Sequence, residues 1–417
     1  MKLQVGYGAG VQEFDVPDKN LMGVMRPNPA PPGLTGAAEA ERALRSPIGT
    51  PPLREIARPG ETVAIITSDN TRPFPGHTVL PLVLRELEQA GVRPSDITVV
   101  VALGIHRPLT DGEIRALVGA DVYSRVRCVN SAPGDYVRMG ATRRGTPVDV
   151  TCAVAAADRR VALGNVEYHY FAGYSGGAKA IMPGVSTRAA IQNNHGMMAC
   201  DGAAAGRLDG NPVREDIDDV LNFCPLDFIV NVVLDESKNI IYAAAGHPID
   251  AHRSGCRYLD GVYAKRIARK ADVVIASQGG KPKDVNLYQT QKALDNAKYA
   301  VRDGGVIILA GSCGEGMGEA VFEEWMTSAP SPQSIIRRIE GDFQLGGHKA
   351  AAIAATLQKA EIFLVSDMAP DFVESIFLKP YATVRAALDA ALRKAGPDAS
   401  VLVMPFAGST LPIVDSK

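Results

Sequence analysis

No sign of charge prevails in this chain: 44 Lys+Arg stand against 46 Asp+Glu, a formal net charge of -2. There is accordingly no basic stripe to hold nucleic acid or an anionic membrane surface, and neither is expected as a partner. Any charged substrate has to be met locally. Long apolar runs are missing as well, and nothing approaches the ~18 uninterrupted apolar residues of a membrane helix. The opening stretch MKLQVGYGAGVQEFDVP lacks a basic start followed by an apolar run, so a cytoplasmic location is expected. The six cysteines, Cys128, Cys152, Cys200, Cys224, Cys256 and Cys313, form no CxxC pair, which excludes a zinc ribbon and reads as free thiols in a reducing compartment.

What is present is a large, balanced chain of 417 residues, 46% of them hydrophobic. Single cores stop growing near ~250 to 300 residues, so two domains are expected. Short runs rich in Val and Ile recur at 62–67, 97–103, 161–166, 228–234, 273–277, 306–310, 362–366 and 401–405, each followed by polar or glycine-rich residues and a helical stretch. Runs this apolar fit strands buried on both faces, which makes the fold class α/β with mainly parallel sheets flanked by helices. Ligands of such folds gather beyond the carboxyl ends of the strands.

The proline-rich segment 26–36 reads as an extended surface strap. Gly6, Gly8 and Gly10 form GxGxG rather than GxGxxG and precede no helix, so they read as a turn. A composition shift at YAKRIARK, residues 263–270, taken as a basic helix leading into a fresh strand, suggests the domain boundary. The expected division is a first α/β domain over 1–267 and a Rossmann-like second over 268–406. A tail, 407–417, is expected to return to the first domain.

Two loops leave strands with an Arg directly before a Pro: SDNTRPFP at 68–75 and GIHRPLT at 104–110. The proline disfavours helix at Arg72 and Arg107 and extends the chain away from the sheet. Thr110 and Glu113 match a capping box, so a helix is expected just after Thr110, with His106 at the rim before it. Taken alone, either loop also reads as an ordinary turn with a solvated arginine, the less favoured of the two readings. A denser segment, EYHYFAGYSGGAKAIMPGVSTRAAIQNNH at 167–195, combines two histidines, a lysine and several glycines, whose backbone N–H groups suit close approach to a phosphate or carboxylate. Ser186 is the expected N-cap of a helix carrying His195.

In the second half, GGKPKDVNLYQTQKALDNA at 279–297 implies a helix from near Leu287, with Tyr288, Gln289 and Lys292 on one face. GSCGEGMG at 311–318 reads as a turn more than a phosphate loop, and Cys313 within it has no base to make it a nucleophile. His247 and His252, with a proline between them, are poorly spaced for chelation on a helix.

Together, in this order and at these spacings, SDNTRP, HRPLT, HYFAGYSGGAKAIMPGVS, NNH, LDGNPVRED and NLYQTQKAL resemble the nickel-pincer lactate racemase family over most of the chain. The resemblance implies a racemase or epimerase of a small 2-hydroxy acid, such as lactate or a malate-like acid. Its implied cofactor is a nickel pincer nucleotide: a pyridinium-3-thioamide-5-thiocarboxylic acid mononucleotide holding Ni(II), made by cofactor-biosynthesis accessory proteins. It further implies Lys179 as the covalent anchor, His195 as the metal ligand, and His106 and His169 as the acid/base pair. Asp69, Thr71, Ser175, Gly176 and Gly177 are implied as cofactor contacts. Arg72, Tyr288, Gln289 and Lys292 are implied around the substrate, in a cleft between domains. The reaction implied is hydride transfer from C2 of the substrate to the cofactor and back through a 2-keto acid.

One departure concerns the substrate. Some lactate-specific members carry a second-domain tryptophan at the site, whereas here the only Trp is Trp325 and the corresponding region reads FQLGGHKAA, residues 343–351. His348 or Lys349, or Arg188 elsewhere, is a candidate to hold a second carboxylate, so lactate, a dicarboxylate and a sugar acid all remain open. Two other functions compete: a non-catalytic cofactor-binding or maturation homologue, and a nicotinamide-dependent 2-hydroxy acid dehydrogenase, which lacks a properly spaced GxGxxG.

Overall fold

The computed structural model describes residues 1–131, 134–341, 343–344 and 346–415. Residues 416–417 of the expected tail, and Leu345 of the stretch 343–351, lie outside the described residues. The chain divides into two compact units, Ala30–Gly261 and a second made of Met1–Pro29 with Val262–Lys417.

The unit Ala30–Gly261 is built on a six-stranded sheet in the order Ile240–Gly246, Phe228–Leu234, Arg159–Asn165, Val63–Ser68, Ile97–Ala102, Arg127–Asn130. All neighbours are parallel except the edge strand Ile240–Gly246, which is antiparallel. The reason for the parallel arrangement is visible residue by residue. Ile65, Val99, Val101, Val161, Leu163, Val230 and Val232 pack into one core layer, and Ala64, Ile66, Val100, Ala162 and Ile229 into another. Alternate side chains of each strand thus enter different cores, and both faces are covered. Each fully buried Val or Ile contributes roughly 1.5–3 kcal/mol relative to exposure.

The strand order contains a reversal that matters for function. From Val63–Ser68 the chain steps outward to Ile97–Ala102 and Arg127–Asn130, then returns to Arg159–Asn165 on the opposite side and continues to Phe228–Leu234. Val63–Ser68 and Arg159–Asn165 are therefore neighbours whose onward connections leave in opposite directions, the arrangement that opens a crevice at the carboxyl end of a sheet.

The other unit has a fully parallel six-stranded sheet, ordered Lys379–Tyr381, Ala360–Val365, Val301–Ala310, Ala271–Ser277, Val401–Met404, Leu21–Val24. Its core joins Val273, Ile275, Val306, Ile308, Phe363 and Val403 to Val5, Phe14 and Val16 of the N-terminal hairpin. All eight apolar runs noted above are strands, with ends shifted by a few residues. Gly8 turns the hairpin between Lys2–Tyr7 and Gly10–Asp15 at φ 53°, as a turn rather than a dinucleotide loop.

Three local expectations are corrected. Residues 1–29 belong with the second half, because Leu21–Val24 completes its sheet beside Val401–Met404. The basic stretch after Tyr263 is a strand, Ala264–Ile267, and it pairs in parallel with Leu411–Val414. That pairing places the tail in the second unit rather than the first, and a partner so distant in sequence leaves no local trace. Among the described residues no helix is long and apolar enough to cross a membrane.

Candidate active site

In the unit Ala30–Gly261 three strand ends deliver the candidate residues. The strand Val63–Ser68 leads into buried Asp69, whose Oδ1 accepts from Thr71 Oγ1 at 2.6 Å and from Thr71 N at 3.2 Å. Asp69 Oδ2 lies 2.5 Å from Nδ1 of His106, which follows the next strand, Ile97–Ala102. Desolvation alone would raise the Asp69 pKa, but its hydrogen bonds to His106 and Thr71 outweigh that and hold it below the ordinary carboxylate value. The capping box is present, with Glu113 N donating to Thr110 Oγ1 at 3.3 Å and Thr110 N to Glu113 Oε2 at 2.9 Å. Arg107 is committed to Glu113 in an exposed fork. Arg72 is exposed, and its charge acts on both Asp69 and His169.

The third strand, Arg159–Asn165, runs into the glycine-rich segment. Phe171 is its hub: the His169 ring packs edge-on to it at 4.5 Å, the His195 ring at 5.0 Å, and Lys179 Nζ stands 5.9 Å over its face. His169 Nδ1 accepts the Ala172 N–H at 3.3 Å, so its proton belongs on Nε2. Desolvation, then the charges of Lys179, His195, Arg72 and Arg214, push the His169 pKa well below its usual 6.5. Lys179 is likewise held well below the ordinary lysine value, by desolvation first and then by Arg214 and Arg72. Both causes favour the uncharged, nucleophilic form of the amine.

The glycines serve the loop's own geometry. Gly176 has φ 78° and a methyl group on it would stand 2.6 Å from Asn231 Oδ1; Gly177 has φ 62° and donates its N–H to that oxygen at 2.8 Å. The Ser175 hydroxyl donates to Asn165 O and accepts from Glu167 N, each at 2.8 Å. The N-cap of helix Arg188–Gly196 is Thr187 rather than Ser186, because Ser186 Oγ turns back to Ile181 O. Near the end of that helix His195 Nδ1 meets Asn194 Oδ1 at 2.9 Å, while Asn194 Nδ2 donates to Asp216 Oδ2 at 2.8 Å. The network fixes the Asn194 amide and leaves the His195 lone pair on Nε2, the form a metal takes.

Tyr288, Gln289 and Lys292 belong to the other unit. The helix expected from Leu287 is capped by Asn286 Oδ1 but breaks at Gln291 into Leu287–Thr290 and Lys292–Ala300. Tyr288 is half-buried, edge-on to Phe322 at 5.7 Å and to His348 at 6.4 Å, with Lys349 Nζ 5.5 Å over its ring; Lys292 is exposed. Buried His348 and Lys349 thus stand beside Tyr288, whereas Trp325 is buried under Arg338 in the core of that unit. Arg188 is exposed at the first turn of its helix. No group of three or more His, Cys, Asp or Glu side chains suited to a metal occurs among the described residues. His252, whose Nε2 bonds Ser175 O at 2.8 Å, is a structural residue.

Residues 7–206 match the lactate racemase N-terminal domain and residues 267–411 the lactate racemase C-terminal domain. The chain belongs to the lactate racemase family. A lactate racemase of Thermoanaerobacterium thermosaccharolyticum is 32% identical over 415 residues, 97% of each chain, and one of Lactiplantibacillus plantarum is 31% identical over 383 residues, 89% of this chain and 90% of that one. The lactate racemase apoprotein structure from T. thermosaccharolyticum superposes with a TM-score of 0.90 at 32% identity, covering 99% of this chain and 100% of that one. A Thermotoga maritima protein shares the fold, with a TM-score of 0.65 at 16% identity over 92% of this chain and all of that one. Lactate racemases are isomerases of a hydroxy acid, which favours the racemase expectation over the dehydrogenase.

Motif reading alone missed Phe171 as the hub, Asn194 as the residue orienting His195, and Asp69 as the partner of His106. The NNH triplet was a signal for the second. No motif announces the others, since Phe171 owes its place to ring packing that reaches His195 on a following helix, and Asp69 to a contact with the loop after the neighbouring strand.

Proposed function

We propose that this chain racemises a small 2-hydroxy acid, lactate being the acid named for both relatives, with a nickel pincer nucleotide anchored on Lys179. The reading is carried by one observation: two imidazoles at the carboxyl edge of one sheet have their tautomers set by different partners, a carboxylate for His106 and a peptide N–H for His169. Inverting a carbinol centre needs proton carriers on both faces.

The residues fit the proposed cofactor. An amine whose pKa is lowered, as at Lys179, suits an acyl-type link, and the Nε2 lone pair of His195 suits a borderline metal such as Ni(II). Asn165 Nδ2 and Thr67 Oγ1, buried donors with no protein partner among the described residues, stand at the ends of the two strands that bound the crevice. When bound, the group would supply the acceptor and donor of the hydrogen at C2.

The chain's own residues do the rest. With Nδ1–H directed to Asp69, His106 offers its Nε2 lone pair to the substrate hydroxyl, and the carboxylate steadies the imidazolium that results. His169 is the proposed carrier on the other face: as imidazolium it gives its Nε2 proton to the substrate oxygen and is left neutral with the remaining proton on Nδ1, and for the opposite enantiomer that neutral form accepts at Nε2 while His106 gives its proton back. Arg72, an exposed guanidinium acting on both Asp69 and His169, is the proposed fork for the substrate carboxylate. Tyr288, Gln289 and Lys292 of the other unit are proposed to contact the substrate as well. The remaining cofactor contacts are proposed at Asp69, Thr71 and the backbone of residues 175–177.

The test is expression together with the cofactor-making accessory proteins. Nickel and a covalent adduct at Lys179 are expected, with interconversion of D- and L-lactate followed by chiral chromatography. An unmodified Lys179 without nickel would remove the cofactor assignment. Turnover of a dicarboxylate or sugar acid, but not of lactate, would move the substrate and keep the chemistry.

A further inference from the structure

The loop that carries His169 and leads to Lys179 is gripped by its carbonyls. Asn211 Nδ2 donates to Phe171 O at 2.8 Å, Arg214 Nε to Ala172 O at 3.2 Å, Gly206 N to Gly173 O at 3.1 Å, Arg214 Nη2 to Tyr174 O, and His252 Nε2 to Ser175 O at 2.8 Å. Every carbonyl from 171 to 175 is thereby spoken for, four of them by three side chains drawn from two distant segments. These side chains are fully or almost fully buried, with Asn211 and Arg214 at 0% exposure and His252 at 1%.

They are also tied to one another. Arg214 Nη1 donates to Asp218 Oδ1 at 3.5 Å, Asp218 Oδ2 accepts from Arg253 Nη2 at 2.5 Å, and Arg253 Nη1 donates to His252 Nδ1 at 2.8 Å. Because Arg253 has no acceptor, His252 must carry its proton on Nε2, the atom that meets Ser175 O. A guanidinium removed from water is costly unless its geometry is fully satisfied. A hydrophobic side chain would fill the same volume but hold no carbonyl.

Holding the carbonyls determines where the peptide N–H groups point. Ala172 N–H is left directed at His169 Nδ1, and Gly177 N–H at Asn231 Oδ1. Lys179 follows one turn later with its amine over Phe171, whose carbonyl is the one Asn211 holds. We propose that Arg214, with Asn211 and His252, is a positioning residue of the active site, clamping the 171–175 backbone so that His169 and Lys179 stand where the reaction needs them. The clamp rests on the proposed function only for the roles of His169 and Lys179.

The test uses the full-length chain without cofactor. The acetyl ester of N-hydroxysuccinimide labels neutral amines, and peptide mass mapping across pH gives the labelling midpoint of Lys179 against exposed Lys281 in the same sample. The wild-type Lys179 midpoint is expected below that of Lys281. Arg214→Lys keeps the positive charge but cannot grip two carbonyls. It is expected to raise the Lys179 midpoint by at least about one unit, a tenfold loss of reactive amine at neutral pH. In Arg214→Ala, added guanidinium is expected to restore the low midpoint where methylammonium does not.

A folded Arg214→Lys chain with the wild-type profile overturns the clamp, as does an ordinary midpoint at Lys179 in the wild-type chain. Should the Arg214 variants fail to fold, Asn211→Ala and His252→Gln each release one carbonyl and are expected to give smaller shifts in the same direction. No shift in either overturns the proposal. Absence of nickel or racemisation in the loaded chain would instead remove the proposed function and leave these profiles untouched.

Discussion

Asp69 Oδ2 and His106 Nδ1 stand 2.5 Å apart, joining the loop after one central strand to the loop after its neighbour. A carboxylate at that nitrogen fixes the ring's orientation and tautomer and supports its positive form, the task such a residue performs in hydrolytic triads. The resemblance implies Asp69 as a cofactor contact; its geometry adds the role of histidine partner.

Asp69→Asn therefore keeps the shape and loses the charge. Racemisation per bound nickel is expected to fall by about a hundredfold or more, the usual range for disabling one acid/base group. Initial rates in both directions on cofactor-loaded protein measure this. Rates equal to wild type would show that His106 works without Asp69.

Two imidazoles, buried His252 and half-buried His169, set the acid limb of stability. Desolvation pushes the pKa of both His169 and His252 well below 6.5, so each is neutral when folded and gains a proton on unfolding in acid. Their contribution is complete above about pH 6.5 and is lost as pH falls below it, with a slope of at most about 1.4 kcal/mol per pH unit for each histidine. Urea unfolding of His252→Gln is expected to depend less on pH than wild type between about pH 7.5 and 5.5. Parallel curves for the two proteins would exclude His252 as a contributor.

Gly173 tests the loop from the backbone side. Its φ is 78°, and a methyl group there would collide with Arg207 O. Since the obstacle is main chain and the conformation is left-handed, Gly173→Ala is expected to cost about 2 kcal/mol or more. Thermal unfolding with calorimetry measures the loss; an unchanged midpoint would mean that the loop relaxes without cost.

The sheets were legible because strands such as 63–68 and 228–234 are apolar without alternation, and only burial on both faces explains that pattern. The candidate residues His106, His169, Lys179 and His195 were legible as motifs because they lie in short segments at strand and helix ends. What escaped were features made by partners far apart in the chain. Ala264–Ile267 looks like a basic helix until Leu411–Val414 pairs with it. Asn211, Arg214 and His252 act on the backbone of residues 171–175, and a carbonyl has no residue type to betray its partner.

Asn194 supplies a last test, because it touches the candidate metal ligand without being one. Its Oδ1 accepts from His195 Nδ1, and its Nδ2 is committed to Asp216 Oδ2 and Val213 O, so the amide cannot turn. Outer partners of this kind orient a ligating imidazole and raise its basicity, and their removal commonly costs 10–100-fold in metal affinity. In Asn194→Ala the His195 Nδ1 loses this acceptor, and its proton can shift to Nε2, the atom that should bind. Nickel retained after dialysis against a weak chelator is expected to fall by at least about tenfold, while the adduct mass at Lys179 stays the same, since anchoring involves a different side chain. Full nickel retention would remove either Asn194 from the ligand's support or His195 from the metal, and His195→Ala analysed alongside distinguishes the two.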